Sequence, residues 1–316
     1  MTTQNLYRFK AKSAWMFLVF LWMTAGCAGL SLKRVDVNFE NPYQKLGITE
    51  REPTEAEKAG VVLRIHAPPG GVLRSREETT LYAQIKNNQG IKLNLVQNRI
   101  DQFCPGGRQD SYIMHSETSF EGSDGTILEE VEQTDRGEIV CFLKGLHRSK
   151  IGKFQIESWT RTPVFPDGPV KLQDSWEYEE ITDVRLDSFW IQQKNPSPYI
   201  LKATCELIGF ASVGGRPAAV IKTHAAQTKE ERLKFLFKEF VFTIYADIEE
   251  RMYLDYSTGT VIAKITTTKS RMMDRHHKIV DTGQSQSLLW ITESAQSPGD
   301  LKASSSNASS PKSKMP

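Results

Sequence analysis

Apolar and polar residues alternate in short runs along most of this chain, and the alternation predicts strands. Leu81, Ala83 and Ile85 alternate with Thr80, Tyr82 and Gln84, and Ile91, Leu93 and Leu95 resume the pattern after Lys86-Asn87-Asn88-Gln89-Gly90. Successive strand side chains point to opposite faces, so two such runs about an Asn/Gly turn predict a hairpin. Val61-Val62-Leu63-Arg64-Ile65 reads as a strand that ends at Pro68-Pro69-Gly70-Gly71. Short apolar runs at 111–117, 126–132, 138–143 and 151–159 follow, most of them bounded by Gly, Asp or Ser. Strands at such regular spacing predict an antiparallel, β-sandwich-like first domain over residues 60–160.

The rhythm breaks between residues 161 and 198. Pro163, Pro166, Gly168 and Pro169 are turn formers, and Asn195-Pro196-Ser197-Pro198 punctuates again. A crossover or linker is expected here. A second β-rich domain is expected over 199–293. Its first hairpin turns at Gly214-Gly215, and its clearest one turns at Tyr256-Ser257-Thr258-Gly259 before the Val/Ile/Thr-rich return at 260–268. Glycine reaches the positive φ these turns need. The run 233–248 fits helical spacing through Leu233, Leu236, Phe237, Phe240, Val241 and Ile244, but its Phe-Val-Phe-Thr-Ile-Tyr content favours a long strand with a short helical or looped lead-in. Two more strands are expected at 277–280 and 287–292. Residues 294–316 are mostly Ser, Ala, Lys and Pro, with little to bury, and read as a disordered tail.

The N-terminus has a different grammar. Arg8, Lys10 and Lys12 precede an apolar run from Ala14 to Met23, and small residues follow. The run is too short for a membrane span, which takes about 20 residues. A basic front, a short apolar core and a small-residue end predict a secretory signal over residues 1–26. Thr24-Ala25-Gly26-Cys27 resembles the lipobox of bacterial lipoproteins, although Thr24 stands where that family prefers Leu. The resemblance implies lipidation of Cys27, as by a palmitate-type chain, and membrane attachment through that lipid. Ala28, in place of Asp, implies an outer-membrane destination facing the periplasm. An uncleaved anchor and simple secretion are the other readings. Residues 27–59 are polar and read as lipid anchor and linker, with one helical turn at 54–58.

The chain carries 40 basic and 38 acidic side chains, a net charge of +2. Removing residues 1–26 takes away three basic groups and no acidic ones, leaving about −1. So even a balance predicts no nucleic-acid partner and no basic patch competing with the lipid for membrane attachment. Cys104 and Cys141 lie in the first domain and are the candidate disulfide of an exported protein; free buried thiols are the alternative. A closed loop of that length would contribute roughly 4 kcal/mol in the chain-entropy view.

Catalytic chemistry is sparse. Nucleophile elbow, zinc-helix, phosphate-loop and dinucleotide signatures are all missing from the sequence, and no cofactor is expected. His276 and His277 are adjacent, so a strand would point them to opposite faces. The doublets Glu129-Glu130 and Glu249-Glu250 read as solvated strand edges. Residues 199–292 resemble bacterial lipoproteins of the lipoprotein-carrier type through the Gly214-Gly215-Arg216-Pro217 and Tyr253-Leu254-Asp255…Thr258-Gly259 hairpins. That resemblance implies a curved open sheet able to hold an acyl chain or an apolar partner. Phe189, Trp190, Phe240 and Phe242 are the candidate walls of such a groove. The expected function is that of a non-enzymatic envelope lipoprotein with a binding or structural role. The partners are then the membrane and either another envelope protein or a hydrophobic ligand. A carrier of lipid is the first alternative and an envelope hydrolase the second.

Overall fold

Strand pairing gathers both halves of the chain into one antiparallel sheet. In the computed structural model, residues 39–68, 71–85, 89–121, 126–149, 152–158, 164–187, 191–193, 199–235 and 238–294 are described. Two short helices lie near the start, α1 (Pro42–Leu46) and α2 (Glu55–Ala59), with strand β1 (Ile48–Arg51) between them. The first half continues with β2 (Val72–Ile85), β3 (Gln89–Pro105), β4 (Ser111–Phe120), β5 (Thr126–Thr134), β6 (Ile139–Ser149) and β7 (Gly152–Ser158). Next come β8 (Ser175–Asp187) and the short β9 (Ile191–Gln193). The second half supplies β10 (Tyr199–Val213), β11 (Arg216–Phe235), β12 (Lys238–Asp255), β13 (Thr260–Asp274) and β14 (Ile279–Ser294).

Two pairings join the halves. Strand β14 lies against β2 from Asp281↔Ile85 to Ser294↔Leu73, and β8 lies against β10 from Tyr199↔Thr182 to Glu206↔Ser175. The strand order is β1-β10-β11-β12-β13-β14-β2-β3-β4-β5-β6-β7-β8-β9, with β8 also on β10 and β9 also on β11. The expected all-β, antiparallel class therefore holds, but the expected division into two sheets does not. Residues 175–187 and 191–193 form β8 and β9, so these parts of the expected crossover or linker belong to the sheet. Strands β12 and β14 run unbroken through stretches that read as separate segments. Long-range pairing supplies the ladder that their polar interruptions appeared to deny.

The 39–68 stretch shows how far tertiary packing overrides local character. Its 39–59 part reads as linker and its 61–65 part as a strand, yet the whole straps the sheet on both faces. Its first part covers the outer face: Leu46 and Ile48 pack on Ala211, Val213, Ala218, Val220, Tyr253 and Ala263. Helix α1 starts at Asn41, whose side chain accepts the Tyr43 N–H at 3.0 Å, and ends at Gly47 with φ +60°. Helix α2 begins in a capping box between Thr54 and Glu57. Residues 61–66 then lie on the opposite face, termed inner for the side that carries Leu207, Ile221, Met252 and Leu254. They form an extended segment rather than the expected strand, with a single bridge from Val61 to Val170. Leu63 and Phe165 are fully buried there with Leu207, Ile221, Met252 and Leu254. The His66 N–H donates to the Gly259 carbonyl at 3.0 Å. Gly259 has φ +68°, and a Cβ on it would lie 2.6 Å from the His66 backbone nitrogen, so a side chain is excluded there on two grounds.

Candidate functional site

The strand register sorts side chains into two faces, and the inner face carries a row of polar groups. Following partners across the sheet, Trp176, Cys205, Thr223, Glu250, Thr266, Ser287 and Thr79 lie opposite one another on β8, β10, β11, β12, β13, β14 and β2. Partners in a ladder share a face, so these seven side chains point the same way. The neighbouring row holds Ile221, Met252, Lys264, Leu289, Glu77 and Gln97.

These polar groups satisfy one another. Lys264 Nζ lies 2.9 Å from Glu250 Oε2, and the Thr266 hydroxyl donates to the same oxygen at 3.1 Å. Glu77 accepts from Gln97 and from Ser287, and Thr79 donates to Ser287 at 3.1 Å. Farther along, Arg99 donates to Asp101 at 2.6 Å and to Ser116 at 2.9 Å. The inner carboxylates Glu77, Asp101 and Glu250 are thus each engaged by donors. The Cys205 thiol lies 3.3 Å from the Thr223 hydroxyl, and burial pushes its pKa up to about 12, which keeps it protonated and unreactive. Among the described residues, no group of three or more His, Cys, Asp or Glu side chains is arranged to hold a metal ion.

One buried carboxyl breaks this pattern. Asp281 on β14 is 4% exposed, and its Oδ1 has no hydrogen-bond partner. Its row partners are Met272 and Ile85. Burial raises its pKa to about 7, opposed only by a backbone hydrogen bond at Thr282. The sequence contained a trace of this. Asp281, Gly283 and Ser285 keep the period-two spacing of Ser287 and Leu289, but they fall between the strands expected at 277–280 and 287–292.

The residues singled out from the sequence fare unevenly. Phe240 and Phe242 do come together, stacked with centroids 6.1 Å apart and planes 5° apart, and Phe242 is 3% exposed. Phe189 and Trp190 lie outside the described residues, as do Cys27 and the 295–316 tail. Cys104 is a free, exposed thiol. The ladder runs Cys104↔Ile113 and Glu132↔Cys141, with Ile113 opposite Glu132, so β4 and β5 separate the two cysteines. Three strand spacings amount to about 14 Å, twice the reach of a disulfide; sequence proximity misled because the intervening strands are inserted between them. A maleimide reagent is expected to modify Cys104 in the native protein and Cys205 only after unfolding; mass spectrometry of the labelled peptides checks this.

The Glu249-Glu250 doublet is split by the pleat. Glu249 faces out toward Lys222 at 3.6 Å while Glu250 faces in, so Glu250 is no solvated edge. His276 and His277 sit exposed in the β13–β14 turn. A polar hub the sequence did not announce is Asp255, whose Oδ1 accepts from Ser257 N and Oγ and from Thr258 N while Oδ2 pairs with Arg216 at 2.9 Å. Burial opposes its ionisation, but these donors outweigh it and hold the carboxyl below its ordinary pKa.

No protein-family model matches the chain, and no curated protein does. Among solved structures it is similar to a mutant porin of Rh. blastica, at 8% identity over 70% of this chain and 99% of the porin, with a TM-score of 0.21. It is also similar to a DUF3598-family protein of unknown function from Nostoc punctiforme, at 9% identity over 67% of this chain and 94% of the other, with a TM-score of 0.14. At these scores neither likeness bears on fold or function.

Proposed function

We propose that this protein is a non-enzymatic lipoprotein of the bacterial envelope, tethered through Cys27 to the periplasmic side of the outer membrane, with a binding or structural role. The pairing of β8 with β10 supports a twelve-stranded sheet closed on itself, in place of the sandwich and the open sheet expected from the sequence. The observation that carries the reading is the disposition of charge. Outward positions hold exposed polar and charged pairs: His224 hydrogen-bonded with Asp247 at 2.9 Å, and ion pairs of Arg232 with Glu230 at 2.8 Å and Lys202 with Glu179 at 3.3 Å. A barrel that spans a membrane presents apolar side chains outward, so these strands are not suited to lipid and attachment falls to the N-terminal lipid. The engaged inner carboxylates support a role without catalysis. Leu81, Ala83, Ile244 and Ala246 are buried on the inner face, which supports partner binding on the outside over carriage of an acyl chain within.

Metabolic labelling with a fatty acid tests the anchor. The wild-type chain is expected to incorporate label and to sediment with membranes, and Cys27→Ser to lose the label. A wild-type protein that takes up none overturns the anchored reading.

A further inference from the structure

The even net charge conceals a local excess of positive charge. Residues 269–279 carry Lys269, Arg271, Arg275 and Lys278 against one carboxylate, Asp274. All four cations are exposed. Asp274 accepts the His276 N–H at 2.8 Å and the Lys278 N–H at 3.0 Å, and its one negative charge leaves the hairpin with a net excess of cations. Arg271 is held over the Tyr245 ring at 4.5 Å on the outer face. Ile279, beside the turn, is 58% exposed. The β2–β3 hairpin ends at the same rim, since Asp281 pairs with Ile85, and Lys92 stands there over the Tyr82 ring at 5.3 Å.

An independent observation ties this rim to the N-terminus. Phe39 packs edge-on against Tyr82, with centroids 5.2 Å apart. Tyr82 lies three residues from Ile85 at the rim end of β2 and ten from Val72 at the other end. From Phe39 the strap runs away from the rim, with Lys45 on Glu78 at 2.5 Å and β1 on Phe210–Val213. Residues 27–38 span at most about 40 Å when extended. The chain therefore joins the body about 10 Å from the rim end of β2 and about 34 Å from the opposite end.

We propose that the basic rim built on the β13–β14 hairpin docks on the headgroups of an anionic phospholipid bilayer, with Ile279 entering the interface. The proposal rests on the lipid-anchored reading, since the tether is what holds this rim near the surface. Each Lys or Arg near an anionic surface adds to the attraction, and salt weakens it. The tether is long enough to reach past either end, so it is the charge that sets the orientation: the rim faces the bilayer, and the end filled by residues 61–66 faces away.

Vesicle flotation of the full chain carrying Cys27→Ser separates rim from anchor. Vesicles of phosphatidylcholine alone are compared with phosphatidylcholine mixed with phosphatidylglycerol. The expected result is at least about tenfold stronger partition onto the anionic vesicles, lost in high salt. Arg271→Glu/Arg275→Glu/Lys278→Glu should abolish the difference, whereas Lys202→Glu should leave it intact. If the triple variant melts early, Arg275→Gln/Lys278→Gln, confined to the exposed turn and its edge, should still reduce it several-fold. Equal partition onto both vesicle types, or equal effects of the rim and Lys202 variants, overturns the proposal. Failure of acyl labelling in the wild type sinks the anchor instead, and the two results are read separately.

Discussion

Asp281→Asn should stabilise the protein at neutral and alkaline pH and have little effect in acid. The folded-state pKa of Asp281 is raised to about 7 from an ordinary 3.8. The folded state therefore holds a proton that the unfolded chain has lost, and wild-type stability falls as pH rises between these values. Below about 4 both states are protonated and the penalty vanishes. Above about 7 it is complete, with an upper bound of roughly 4 kcal/mol. The physical cause is a carboxylate confined beside Met272, with its Oδ1 unpartnered and no ionic partner among the described residues. An amide carries no charge to desolvate, so Asp281→Asn should show a flatter stability profile across this window. Urea titrations at pH 4.5, 6 and 8 measure it. Parallel curves for the two proteins would show that Asp281 is already compensated.

Glu57→Ala should be the most damaging single change in the N-terminal strap. Glu57 is 3% exposed and is gripped from three sides. Arg51 binds both of its carboxylate oxygens, Tyr256 donates to Oε1 at 2.5 Å, and the Thr54 N–H donates to Oε2 at 2.7 Å. Removing one partner of such a buried pair leaves the others uncompensated, and the loss is about 3–5 kcal/mol. The Arg51 guanidinium, aided by Tyr256 and Thr54, outweighs burial and holds the Glu57 carboxyl well below its ordinary 4.5. Its contribution is present above that ordinary value and is lost as pH falls through it and below. Thermal melts at pH 7 check the magnitude. A double-mutant cycle with Tyr256→Phe separates the phenol hydrogen bond from the ion pair. A melt unchanged by Glu57→Ala would mean that the strap is held by Leu46, Ile48 and Leu63 alone.

The two predictions fall where sequence reading was weakest. Hairpins were legible because their evidence is local: alternation in 81–85 and 91–95, and glycines at 214–215 and 259 where φ is positive. The helical turn at 54–58 was legible for the same reason, since Thr54 and Glu57 stand at capping-box spacing. Phe240 and Phe242 could be grouped because an i, i+2 pair shares a strand face. Asp281 could not be found this way. Its isolation depends on Met272, which lies on another strand. Nor could the sequence tell that Glu250 turns inward to Lys264 while Glu249 stays outside.

By itself the sequence determined that this protein is all-β and antiparallel, because period-two patterning and turn chemistry act within a few residues. It also supplied the cations of the 269–279 hairpin, which a chain-wide charge balance averaged away. Tertiary structure alone decided that both halves share one sheet, since the β14–β2 and β8–β10 pairings join residues far apart in the chain. It decided that Cys104 and Cys141 stand apart, because two strands come between them. It also joined residues 39–59, which read as linker, and 61–65, which read as a strand, into one strap. A short polar segment with few apolar residues has no fold of its own, and Leu46, Ile48 and Leu63 gain their buried positions only from the sheet they cover.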